Sequence, residues 1–224
     1  MRKLFIIACL SAFAVSAFAQ EEKPALDKAL SSDLSAFQTA ASLAKYGYEN
    51  YSATALIEAA KIFSETKTQE LDAQATPSST EQVQDKQSKV SFDPATLLAD
   101  AKKYAGKDKV ILAYANQVEK GLKASTTRGA VGGAREGAGR VLGKSYTDYQ
   151  VKFWAAEVAE VAVIGDGDTD LDLYIYDGNG NLITSDTDYT DQCVCRWVPA
   201  WTGTFVIRIV NRGAVYNEYV ILTN

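Results

Sequence analysis

From Tyr146 onward the chain alternates short apolar or aromatic runs with turn signals, and no helix-length segment interrupts them. The runs cover 149–154, 157–164, 171–176, 181–185, 193–198, 204–210 and 216–222. Between them, Asp177-Gly178-Asn179-Gly180 and Asn211-Arg212-Gly213 have the composition of hairpin turns. Parallel strands need crossover helices, for which there is no room, so this part must be an antiparallel β-sandwich. Alternation predicts that Leu171, Leu173 and Ile175 face its core opposite Phe205, Ile207 and Ile209.

The residues before it obey a different period. Leu30, Leu34, Phe37, Ala41 and Ala44 recur at helical spacing, with Gly47 expected as the C-cap, and a second helix is expected over 52–64. Asp93-Pro94 pairs an N-cap with proline at the first helical position, opening a helix that should stop near Gly106; another should cover 108–123. Ala53, Thr54, Leu56, Glu58, Ala59 and Lys61 reappear as Ala95, Thr96, Leu98, Asp100, Ala101 and Lys103, as related helical hairpins would require, although alanine-rich helices also match by chance. The fold class is therefore α+β, with N-terminal helical hairpins followed by the sandwich. The expected divisions are a helical region at 20–124 with a polar linker at about 66–92, a Gly-rich connector at 125–145, and the sandwich at 146–224. With so little to bury in the connector, the helices are expected to fold apart from the sandwich.

Arg2 and Lys3 precede an apolar run from Leu4 to Phe18 that ends Ala17-Phe18-Ala19, the pattern of a signal peptide at 1–19. The run is too short to span a bilayer, and too few apolar residues precede Cys9 for a lipoprotein signal. The expected location is secreted or periplasmic, with no membrane span after signal cleavage. Of the 23 basic and 28 acidic residues, removing Arg2 and Lys3 leaves a net charge of −7, which disfavours nucleic acid and anionic membranes as partners. The acidity sits in the sandwich, where 12 acidic residues oppose Lys152, Arg196, Arg208 and Arg212.

The chain contains no histidine, which removes serine and cysteine triads, zinc-protease helices and His-based proton relays. Ser42-Leu43-Ala44-Lys45 and Ser64-Glu65-Thr66-Lys67 match a Ser-x-x-Lys element, but its companion motifs are missing. Ala138 to Ser145 satisfies a relaxed phosphate-loop pattern without the strand before it and helix after it that a working loop needs. No enzymatic activity is expected. Cys193 and Cys195 lie two apart, on one face of a strand and too far apart for a disulfide unless the strand is bulged; the alternatives are a buried thiol pair and, less readily, a metal site.

Eight aspartates lie between Asp166 and Asp191, with no basic residue from Lys152 to Arg196. Such density repels, and a calcium ion held by Asp166, Asp168, Asp170, Asp172 and Asp188 would relieve it; a solvated acidic rim is the other reading. A hairpin about Gly178 and Asn179 would bring Asp168 and Asp170 beside Asp186 and Asp188. An EF-hand is excluded, because Leu171 occupies its glycine position and no helix follows.

Asp170-Leu-Asp-Leu-Tyr174, Gly180-Asn-Leu-Ile183, Trp197-Val-Pro199, Gly203-Thr-Phe205 and Tyr219 together resemble the bacterial pre-peptidase C-terminal domain. The resemblance implies a jelly-roll-like sandwich that accompanies secreted enzymes without being catalytic and that in some members binds calcium. No peptidase region precedes it in this sequence. The reading that follows is a non-catalytic exported module binding a protein or a glycan, or serving as an accessory subunit of a secreted hydrolase. In a carbohydrate-binding role, Tyr174, Tyr176, Tyr189, Trp197 or Trp201 would stack on sugars; core packing is the commoner fate of such rings. A glycosidase would instead need two separated carboxylates in a cleft.

Overall fold

The computed structural model describes residues 30–66, 68–79, 90–125 and 134–224. The signal segment at 1–19, the remainder of the linker at 80–89 and connector residues 126–133 lie outside the described residues.

Helices α1 (Ser32–Glu49), α2 (Ala53–Glu65), α3 (Pro94–Ala105) and α4 (Lys109–Ser125) form where the spacing predicts. Ser52 and Asp93 cap α2 and α3 by accepting from the backbone N–H groups of Ala55 and Thr96, and Gly106 ends α3 at a φ of 56°. The two copies of the recurring motif fall on α2 and α3, which pack against each other. Gly47 is not a cap. The helix runs through it, and a Cβ there would lie 2.4 Å from Leu56 Cδ2, so its missing side chain lets α2 approach α1.

The sandwich comprises β1 (Thr68–Glu70), β2 (Thr76–Pro77), β3 (Ala134–Val141), β4 (Tyr146–Phe153), β5 (Ala159–Gly165), β6 (Leu171–Tyr176), β7 (Leu182–Asp186), β8 (Gln192–Trp197), β9 (Gly203–Asn211) and β10 (Asn217–Thr223). Sheet A has the order β1-β3-β10-β5-β8 and sheet B the order β2-β4-β9-β6-β7. Among the described strands, only β1 against β3 is parallel. Three strands were hidden from the periodicity. The linker supplies β1 and β2, which reach both sheets, and the Gly-rich connector supplies β3, whose Gly139 lies under the Tyr149 and Tyr219 hydroxyls where a Cβ would be within 2.8 Å of both. Asn211-Arg212-Gly213 is likewise not a hairpin turn: β9 belongs to sheet B and β10 to sheet A, so the chain crosses layers there. Buried Asn211 secures the crossing by donating to the carbonyls of Val141 and Val215.

Leu171, Leu173 and Ile175 do point inward, as do Phe205, Ile207 and Ile209. The two trios are neighbours in one sheet, with Leu173 beside Ile209, rather than opposed across the core. Sheet A contributes Val161, Val163, Cys193, Cys195 and Ile221 to the same core. Both thiols are free and buried. Burial pushes the Cys195 thiol up to about 12, so these cysteines pack as small apolar groups.

The helices, expected to fold apart, instead cover the outer face of sheet A. Ala162 and Ile164 of β5 and Val220 and Leu222 of β10 share one buried cluster with Leu34, Phe37, Leu56 and Leu97. Polar contacts fix both ends of α1 to the sandwich. Ser31 N–H donates to both carboxylate oxygens of buried Glu160, at 3.3 and 3.2 Å, placing a negative charge at the positive end of the helix. Lys45, near the other end, pairs with Asp191 at 2.5 Å.

Candidate functional site

The β5–β6 and β7–β8 loops meet at one end of the sandwich, as the β6–β7 hairpin predicts. Gly167, at a φ of 93°, turns the first loop so that its N–H donates to Asp191 Oδ2 at 2.5 Å. Asp166 is buried and accepts from the backbone N–H groups of Asp168 and Glu218. Buried Asp172 accepts from Arg212 Nε at 2.5 Å and from the Tyr174 hydroxyl. Exposed Asp188 accepts from the N–H and hydroxyl of Thr190. Asp168 lies on the same loop, half-buried. Asp170 has a buried Oδ1 without a hydrogen-bond partner, and its carboxyl is pushed up by burial and by the charge of Asp172, with Asp188 and Asp191 adding to the shift against Arg212.

Of the neighbours expected from the hairpin, Asp188 acts on Asp170, whereas Asp186 accepts from the Val194 N–H at 2.8 Å. Of the five aspartates expected to hold calcium, Asp166, Asp168 and Asp170 lie on the β5–β6 loop, Asp172 on β6 and Asp188 on the β7–β8 loop. Asp166 and Asp172 have protein donors on their carboxylates, and no three acidic or thiol side chains among the described residues gather where a metal could sit. Lys45 and Arg212 supply positive charge instead. Arg212 could be suspected from its turn; Lys45 could not, because it lies 146 residues from Asp191 in sequence.

The second candidate surface is the outer face of sheet B. Alternation on β4, β9 and β6 turns Tyr146, Asp148, Arg208, Tyr174 and Tyr176 outward, and the pairing sets Asp148 beside Arg208 and Arg208 beside Tyr174. Asp148 takes a two-pronged ion pair from Arg208, with Nε and Nη2 both donating at 2.8 Å. This holds the guanidinium 3.9 Å from the Tyr146 ring centroid and 5.4 Å from that of Tyr176. Tyr176 in turn stacks on Tyr174 at 6.2 Å with 19° between planes. The result is a continuous ladder of flat groups, bordered by exposed Gln150, Lys152, Thr204 and Leu182. Of the other aromatic candidates, Trp197 is a core residue against Phe153, Trp201 is half-exposed and stacks on Phe205, and Tyr189 stands 96% exposed on the β7–β8 loop. Nothing in the sequence sets Tyr146 and Arg208 apart as surface partners; their facing positions follow only from knowing that β4 pairs with β9.

The fold is thus a two-layer β-sandwich with a helical cap on one layer and an aromatic–arginine ladder on the other. By sequence the chain matches no family model and no curated relative. By structure, part of it is similar to the pre-peptidase C-terminal domain of a Bacillus anthracis collagenase (8% identity, TM-score 0.33, 41% of this chain and 87% of that one). It is also similar to PliG of Aeromonas hydrophila, a periplasmic inhibitor of g-type lysozyme (13%, TM-score 0.33, 41% and 84%). A carbohydrate-binding module of Cellvibrio mixtus lichenase 5A, solved with cellotriose, is a third (10%, TM-score 0.26, 41% and 86%). Similarity at this level transfers neither ligand nor activity. No helix among the described residues is long and apolar enough to cross a membrane.

Proposed function

We propose that this protein is an exported, non-catalytic module, related to the pre-peptidase C-terminal domains its motifs resemble, that binds a glycan across the open face of sheet B. The observation that carries this reading is the Tyr146–Arg208–Tyr176–Tyr174 ladder on the outer face of sheet B, which none of the described helices covers. A pyranose ring offers C–H groups to aromatic faces and hydroxyls to polar groups around its rim, so it needs flat rings flanked by donors and acceptors. The ladder has both. Its charges are matched in place, Arg208 with Asp148 and Arg212 with Asp172, which suits a neutral, hydroxyl-rich ligand better than an ionic one. The same pairing leaves these carboxylates poorly placed for acid–base chemistry, and the chain has no histidine to replace them.

Binding to a panel of soluble and insoluble polysaccharides tests this. Tyr176→Ala is expected to weaken capture about tenfold, equivalent to ~1.4 kcal/mol, while leaving the fold intact because the ring is only half-buried. Failure of every polysaccharide to bind, or full binding by the variant, would sink the glycan reading. A protein ligand is the second reading. Exposed Leu182 and Ile183 on neighbouring β7 favour it, and substitutions there would then weaken capture of the partner.

A further inference from the structure

The outer face of sheet B does not end at the ladder. β4 alternates along its whole length, with Thr147, Tyr149, Val151 and Phe153 buried and Tyr146, Asp148, Gln150 and Lys152 turned outward. Trp154 continues the outward series just beyond the strand, 57% exposed, with Lys152 Nζ 4.7 Å from its ring centroid. The backbone that follows is pinned to the β8–β9 loop, where Ala155 N–H donates to the Thr202 hydroxyl and Ala156 N–H to the Pro199 carbonyl, both at 2.9 Å. A second flat group therefore stands, on an anchored backbone, at the far end of the strand that Tyr146 begins.

An extended strand rises roughly 3.4 Å per residue, so the eight positions from Tyr146 to Trp154 span about 27 Å. Tyr176 is the ladder ring nearest to Trp154, since the register sets it level with Gln150 through Val206, and even it lies about 14 Å away along the strand. A disaccharide does not reach that far. The strip between offers polar groups for hydroxyls: exposed Gln150 and Lys152 on β4, and exposed Thr204, which pairs with Lys152 from β9. Strands twist, so a ligand following this one must be extended and free to rotate about its links rather than wound into a compact coil.

Resting on the glycan reading of this face, we propose that the ligand is an extended linear polysaccharide, neutral and linked through equatorial bonds as in cellulose, xylan or chitin. It lies along β4, with one ring on the ladder and another, several units on, against Trp154. A chain held at the ladder presents its distant ring to Trp154 at high effective concentration, an advantage that a fragment spanning one platform lacks.

Calorimetric titration of the whole protein with cellohexaose, xylohexaose and chitohexaose, with the disaccharide of each, and with maltohexaose as a coiled control tests this. At least one extended hexaose is expected to bind at least tenfold more tightly than its own disaccharide and than maltohexaose. Trp154→Ala should fold, because the ring is mostly exposed, and should weaken that hexaose about tenfold while leaving the disaccharide unchanged; Trp154→Tyr should restore most of the loss. A disaccharide or maltohexaose that binds as tightly as the hexaoses, or a Trp154→Ala variant with undiminished hexaose binding, would overturn the proposal. So would failure of all three hexaoses. Polysaccharide capture that Tyr176→Ala weakens and Trp154→Ala does not would keep the glycan reading and overturn only its extension along β4. Capture of no polysaccharide would remove both.

Discussion

Ile164→Asp should lower the unfolding free energy by more than about 4 kcal/mol, the largest effect expected from a single substitution here. Ile164 is 1% exposed and sits where the helices meet sheet A. An aspartate there would be a buried charge next to the loops that hold buried Asp166 and Asp191, whose cation Lys45 is already paired. Because one cluster links helices and sheet, far-UV signals from the helices and near-UV signals from Trp197 should fall together in urea for the wild type. In the variant the whole transition should shift to lower urea. A variant that melts within a degree or two of the wild type would show that the helices do not lean on this face.

Leu173→Ala should cost roughly 2 to 5 kcal/mol. Leu173 is fully buried between the layers, so removing its isobutyl group leaves a cavity that rigid strands on both sides cannot close. Urea titration measures it, and a loss below about 0.5 kcal/mol would mean that the layer relaxes far more than a packed sandwich should.

The contrast between these two residues shows what the sequence could reveal. Leu173 was legible because alternation with period two in Leu171-Asp-Leu-Tyr-Ile-Tyr176 leaves one choice of inward face. Ile164 was not. It ends a run, Ala159 to Ile164, buried on both sides, and continuous apolar character does not say which residues meet the second layer and which meet helices. That run was itself the signal that sheet A is covered. Glycine hid β3, because strand propensity is read from side chains that Gly137 and Gly139 lack. The aspartates of the loops were visible as a cluster, but Lys45, the cation pairing with Asp191, comes from a helix whose docking no local pattern encodes.

Strands β1 and β2 are three and two residues long, and each lies at the margin of a different sheet, against the eight-residue strands β3 and β4. Bare, β3 and β4 would offer parallel rows of unpaired N–H and C=O groups to any passing chain, the usual starting point of intermolecular strand addition. A single short segment covers part of both rows, three residues of β3 and two of β4, and Pro77 within it cannot donate a hydrogen bond to a further strand. The polar stretch that reads as a linker therefore also shortens the open edge of each sheet, leaving fewer backbone groups with which another chain could pair.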